Sequence, residues 1–126
     1  MESGNFSGKK LLIVEDDFSS RLYLNKILEK TGATILNADN GKEAFDLVMN
    51  NPDLNLVLMD IQLPVLDGYT CTKMLREAGK TLVILAQTAY GLTGDKEKIL
   101  SSGFTDYLIK PISKGQLFDK LAMYLK

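Results

Sequence analysis

Two textures of apolar and polar positions alternate along this chain from residue 9 onward. Short apolar runs of strand length fall at residues 11–14, 34–38, 56–59, 82–86 and 107–109. Between them the apolar residues recur at helical spacing. Leu24, Ile27 and Leu28 make one such stripe; Ala44, Leu47 and Val48 make another, and Cys71, Met74 and Leu75 a third. The stretch 96–102 is weaker, with Ile99 and Leu100 as its apolar pair, and the last helix carries Leu117, Leu121 and Tyr124. Local signals mark the helix ends. Asn40 with Glu43, and Ser113 with Gln116, have capping-box spacing, and Ile112 with Leu117 fits a hydrophobic staple. Gly32, Gly79 and Gly103 stand where left-handed C-caps belong.

Five strand-then-helix units in one short chain predict an α/β fold, with a parallel sheet covered by helices on both faces. Continuous apolar strands agree, since strands buried on both faces do not alternate. Right-handed crossovers leave few topologies, and the flavodoxin-like three-layer sandwich with strand order 2-1-3-4-5 leads them. Residues 1–8, rich in Gly, Ser and Asn, read as a flexible tail, and 9–126 as one domain. No internal repeat accompanies the alternation.

Composition narrows the function more by exclusion than by hint. The 126 residues suit one core, and 15 basic against 16 acidic residues leave no electrostatic footprint for nucleic acid or an anionic membrane. The apolar runs are far too short to span a bilayer, and no signal-peptide pattern opens the chain. A cytoplasmic location is the expectation. The single cysteine, Cys71, rules out an internal disulfide and sits on an apolar stripe. There is no histidine, so no histidine triad, histidine metal site or phosphohistidine arises within these residues.

In such sheets ligands bind beyond the carboxyl ends of the strands. The first strand ends in Glu15-Asp16-Asp17, the third in Asp60, the fourth in Gln87-Thr88-Ala89 and the fifth in Lys110-Pro111. Three converging carboxylates repel one another unless a cation joins them. Mg²⁺ fits, because it takes few carboxylates, keeps waters and recruits phosphate oxygens; Mn²⁺ would serve similarly. Glu15 and Asp16 would anchor the metal and Asp60 would share it, with Lys110 and Thr88 receiving an anion. That is a site for phosphoryl transfer to a carboxylate. A blander reading exists for each residue alone: Asp17 caps the next helix, Lys110 is a loop lysine, Thr88 a β-branched strand residue. Their joint placement at separate strand ends is what favours the site.

The motifs Leu-Leu-Ile-Val-Glu-Asp-Asp (11–17), Met-Asp-Ile-Gln-Leu-Pro-Val-Leu-Asp-Gly (59–68), Gln-Thr-Ala (87–89) and Asp-Tyr-Leu-Ile-Lys-Pro (106–111) resemble those of response-regulator receiver domains in two-component signalling. Receivers fused to hybrid sensor histidine kinases look most similar. The resemblance spans 9–126. It implies that Glu15 and Asp16 form the acidic metal pair, that Asp60 is phosphorylated, and that the Gln62 backbone carbonyl ligates the metal. It further implies that Thr88 and Lys110 contact the phosphoryl group and that Lys110–Pro111 is cis. Gln62 and Tyr90 would tune attack of water on the acyl phosphate, and Tyr107 would turn inward as Thr88 moves. Glu15 stands where many receivers carry Asp, so its longer side chain could reach the metal through water.

The partner so implied is a sensor histidine kinase or histidine phosphotransfer domain, without direct nucleic-acid or membrane contact, and a phosphorylation-linked dimer is compatible. Such a domain is a switch and not a turnover enzyme. Stand-alone and excised receivers both fit. Three other readings stay open on residues alone. A flavodoxin-type binding module would need a Gly- or hydroxyl-rich loop where Glu-Asp-Asp stands. A phosphatase with an Asp nucleophile would usually carry a second Asp where Gln62 stands. The third is a phosphorylation-independent interaction module.

Overall fold

The computed structural model describes residues 5–89 and 95–125. Strands β1 (Lys10–Val14), β2 (Thr34–Ala38), β3 (Leu56–Asp60), β4 (Val83–Thr88) and β5 (Asp106–Ile109) alternate with helices α1 (Phe18–Glu29), α2 (Gly41–Asn50), α3 (Gly68–Glu77), α4 (Asp95–Ser101) and α5 (Lys114–Leu125). All strand pairs are parallel, in the order β2-β1-β3-β4-β5. The flavodoxin-like expectation holds, and each strand lies within two residues of its predicted bounds.

The central strands show why their sequences are continuously apolar. Every residue of β3 is buried, as are Leu11 to Val14 of β1. Successive side chains serve opposite layers. Ile13, Leu58, Leu85 and Leu108 pack with Leu24 and Leu28 of α1 and Leu117 and Leu121 of α5. Val14, Met59, Ile84 and Ala86 pack with Ala44 and Val48 of α2, Cys71 and Leu75 of α3, and Ile99 of α4. Each fully buried Leu or Ile contributes about 1.5–3 kcal/mol, so the two layers together account for the core. The edge strand β2 is only partly covered, which explains the polar Asn37 within it.

The capping signals translate unevenly. Asn40 Oδ1 accepts the Glu43 amide at 2.8 Å, and Asp67 and Asp17 cap α3 and α1 in the same way. Ser113 Oγ accepts the Gln116 amide at 3.1 Å, but the Gln116 side chain does not return to the cap. It reaches instead to the backbone of Ile109, accepting from its N–H and donating to its carbonyl, and so ties α5 to the end of β5. Gly32, Gly79 and Gly103 adopt φ of 85°, 85° and 108°, as C-caps require.

Of the tail expected over 1–8, residues 5–8 are described, and Phe6 among them is docked. Phe6 is buried against the α1–α5 layer, and its N–H donates to the Thr31 carbonyl at 2.8 Å. Docking one aromatic ring is enough to hold the chain just before β1. Among the described residues, no helix is long and apolar enough to cross a membrane.

Candidate functional site

Strand parity and strand order together assemble the site. Glu15, Asp60, Gln87 and Lys110 each stand two residues beyond a member of the α1–α5 layer: Ile13, Leu58, Leu85 and Leu108. With a period of two they continue that face past the carboxyl edge of the sheet. Thr88 continues the opposite face, after Ile84 and Ala86, yet lines the same cavity of about 210 Å³ as Asp60, Gln62, Gln87 and Lys110. Gln87 is the register partner of Asp60, and its buried Nε2 has no hydrogen-bond partner among the described residues.

Carboxylate oxygens of Glu15, Asp16 and Asp60 lie within 4.8 Å of one another. Glu15 and Asp60 are almost wholly buried, at 1% and 6% exposure, while Asp16 is exposed. Trans ligands of an octahedral Mg²⁺ stand about 4.2 Å apart, so this donor set closes on such an ion with small side-chain adjustments. All three donors are hard oxygens. The solvent-facing Asp16 side leaves room for the waters Mg²⁺ retains. The residues present fit the ion.

Lys110 supplies the opposing charge. Its Nζ donates to Asp60 Oδ2 at 2.7 Å and lies 3.4 Å from Glu15 Oε1. Burial alone would pull its ammonium down, but the hydrogen bond and charge of Asp60, joined by Glu15, hold its pKa above the usual lysine value. Glu15 is pushed up to about 7, first by burial and next by the neighbouring Asp60 charge. Its Oε2 accepts the Asp17 amide at 3.1 Å, and that bond with Lys110 opposes the rise. Asp17 accepts the Ser20 amide, which holds its own carboxyl below the ordinary value. Asp17 is therefore the helix cap that the blander reading proposed.

The loop after β3 is drawn tightly around Asp60. The Gln62 amide donates to Asp60 Oδ1 at 3.0 Å, which fixes the carboxylate from its own chain. The Gly68 amide donates to the Ile61 carbonyl at 2.9 Å, and a Cβ at Gly68 would run into the Asp60 carbonyl. Lys110–Pro111 is a cis peptide, as the resemblance implied.

All the site residues named from sequence that fall among the described residues are at this edge, except Tyr107. That residue is half-buried within β5, beside Ala86 in register and short of the carboxyl edge, packed against the α2–α4 layer. Tyr90 lies outside the described residues. Cys71 is buried as expected, and burial pushes its thiol up to about 12. Two features had no counterpart in the sequence reading. One is the close approach at Gly68, signalled only by the Asp-Gly pair at the start of α3. The other is Lys98 of α4, which lines the Asp60 cavity and sits 4.4 Å from the centroid of the Tyr69 ring. Tyr69 carries no assigned role in the sequence.

The comparisons agree with this geometry. The profile of the response regulator receiver domain matches residues 11–122. The chain is similar to the probable transcriptional regulatory protein SilR of Salmonella typhimurium, 38% identical over 93% of this chain and 51% of that protein. It thus spans about half the length of that relative. Among solved structures, the receiver domain of Ssk1 from Saccharomyces cerevisiae, crystallised with the histidine phosphotransfer protein Ypd1, superposes with a TM-score of 0.86. That pair is 33% identical over 94% of this chain and 90% of the other. The receiver domain of sensor histidine kinase PA1611 from Pseudomonas aeruginosa, which holds magnesium in its active-site cleft, superposes with a TM-score of 0.85. It is 33% identical over 94% of this chain and 98% of its own. Sheet order, site placement and a profile covering nearly the whole chain converge, and the chain belongs to the response regulator receiver domain family of two-component signalling.

Proposed function

We propose that Asp60 accepts a phosphoryl group from a phosphohistidine of a sensor kinase or histidine phosphotransfer domain in the cytoplasm. The observation that carries this reading is the meeting of Asp60 with two further carboxylates within 4.8 Å and with Lys110 at 2.7 Å. A lone carboxylate is a poor acceptor for an anion, and this neighbourhood removes that obstacle. A bound Mg²⁺ would neutralise charge on the transferring oxygens. Glu15, Asp16, Asp60 and the Gln62 backbone carbonyl would hold it. Asp60 Oδ attacks phosphorus in line as the bond from phosphorus to the imidazole nitrogen breaks. The electron pair stays on that nitrogen, and the carboxylate becomes an acyl phosphate.

Lys110 then follows the charge from the carboxylate to the phosphoryl oxygens, and the Thr88 hydroxyl donates to them. Movement of Thr88 opens space toward which half-buried Tyr107 turns, remodelling the surface of α4, β5 and α5 that a partner reads. The PA1611 receiver with its magnesium and the Ssk1 receiver with its phosphotransfer partner support the reading by similarity. Incubation with Mg²⁺ and acetyl phosphate, followed by intact mass measurement, tests it. Wild type gains one phosphoryl group and Asp60→Asn gains none. Equal labelling of both proteins, or of neither, sinks it.

A further inference from the structure

The Asp60 cavity has a second cationic wall. Lys98 of α4 lines it as well as Lys110, together with Gln62, Tyr69 and Thr88. The Lys98 ammonium rests 4.4 Å from the centroid of the Tyr69 ring. That ring is braced in turn: it meets the buried Phe104 edge-on, 6.1 Å between centroids and 80° between planes. Among the described residues Lys98 makes no ion pair with a carboxylate. A cation held on an aromatic face at an exposed position is held weakly, and a full anion nearby outcompetes the ring.

Phosphorylation of Asp60 creates that anion. A carboxylate carries one negative charge; the acyl phosphate that replaces it carries up to two, on three exposed oxygens. Lys110 is already shared between Asp60 and Glu15. The added charge therefore exceeds what the resting cluster balances, and Lys98 is the remaining cation among the residues lining the cavity. We propose that Lys98 is a second phosphoryl-binding residue, parked on Tyr69 in the resting state and drawn onto the phosphoryl oxygens once Asp60 is modified. The inference rests on Asp60 being the acceptor. It adds a contact from α4 to the group that Thr88 and Lys110 would bind from β4 and β5.

Beryllofluoride with Mg²⁺, a non-covalent mimic of the phosphoryl group, provides the test by calorimetric titration. Wild type, Lys98→Met, Lys98→Arg and Asp60→Asn are compared, with Mg²⁺ alone titrated in parallel. The expected result is a loss of about tenfold in beryllofluoride affinity for Lys98→Met, shrinking as salt is raised. Lys98→Arg retains most of the affinity, and Mg²⁺ alone binds Lys98→Met as it binds wild type. Equal beryllofluoride affinity of Lys98→Met and wild type would overturn the role of Lys98, as would a matching loss for Mg²⁺ alone. Failure of wild type to bind the mimic, or binding by Asp60→Asn equal to wild type, strikes the Asp60 reading instead.

Discussion

Lys110 Nζ and Asp60 Oδ2 meet at 2.7 Å across the top of β4, a strand that neither residue's own strand can bypass. The lysine leaves the end of β5 and spans the β4 edge to reach β3, and its ammonium also lies 3.4 Å from Glu15 beyond β1. It thus occupies the charge centre that a divalent ion would share. Lysine and metal draw on the same two carboxylates, so removing the lysine has opposite effects on two ligands. Lys110→Met raises Mg²⁺ affinity by about tenfold, because two buried carboxylates lose the one cation that pairs with them among the described residues. The same change slows phosphorylation by acetyl phosphate by at least about tenfold, since the arriving anion loses its counter-charge. Mg²⁺ titration and the labelling rate, measured on one preparation, check both halves; parallel losses would contradict the shared-centre argument.

Glu15 provides the pH dependence. Its carboxyl titrates at about 7 in the folded protein against an ordinary 4.5. Below about 4.5 the proton is bound in folded and unfolded chains alike, and the group's stabilising contribution is complete. Between the two values only the folded chain keeps the proton, so stability falls as pH rises, until it levels above 7. The metal-free protein should lose on the order of 3 kcal/mol from this group over that window. A metal ligand must shed its proton, so Mg²⁺ affinity moves the other way, rising several-fold from about pH 6 to about pH 8. Glu15→Gln flattens both trends, weakens Mg²⁺ binding and stabilises the metal-free protein at the alkaline end. Urea unfolding and Mg²⁺ titration across that range measure them.

The sheet and most of the site were legible in the residue order because both depend on short-range periodicity. Fully buried β3 announces itself as four apolar residues, and Asp60 directly after them marks where the strand leaves the core. Glu15 and Lys110 were legible for the same reason, each following an apolar run. What stayed hidden depends on distances between elements far apart in sequence. Lys98 sits on the short helix α4, whose apolar pattern is the weakest, and nothing local says that it overlooks Asp60. Phe6 is one aromatic in a Gly, Ser and Asn context, and only the groove beside Thr31 makes it part of the core. Gln116 satisfied a capping pattern that the real backbone uses only in half, since Ile109 offers it a better pair of partners.

Val65 carries strain that a substitution can release. It sits in the loop between β3 and α3 at φ 69°, a left-handed conformation that a β-branched side chain adopts at a cost of about 1–2 kcal/mol. The side chain is 77% exposed, so it recovers little by packing. Asn tolerates the same backbone and, unlike Gly, does not greatly loosen the unfolded chain. Val65→Asn should stabilise the protein by about 0.5–1 kcal/mol, read as a higher urea midpoint at unchanged slope. An unchanged or lower midpoint would show that the loop's conformation costs nothing.

Gly68 tests how closely the same loop is coupled to the acceptor. Its backbone φ is unexceptional; what excludes a side chain is space. An added Cβ would collide with the Asp60 carbonyl and stand 2.9 Å from Ile61 Cα, both backbone atoms at the buried end of β3. Neither can yield without moving the Asp60 carboxylate, which the Gln62 amide and Lys110 hold in place. Gly68→Ala should therefore cost about 1–3 kcal/mol of stability and weaken Mg²⁺ binding and phosphorylation together. Gly79 supplies the control. It needs its positive φ of 85°, but a Cβ there meets nothing within 4 Å. Gly79→Ala should cost about 1 kcal/mol through backbone strain alone and leave Mg²⁺ affinity untouched. If the two variants lose stability equally and both bind Mg²⁺ like wild type, the contact at Gly68 is slack and Asp60 is positioned without it.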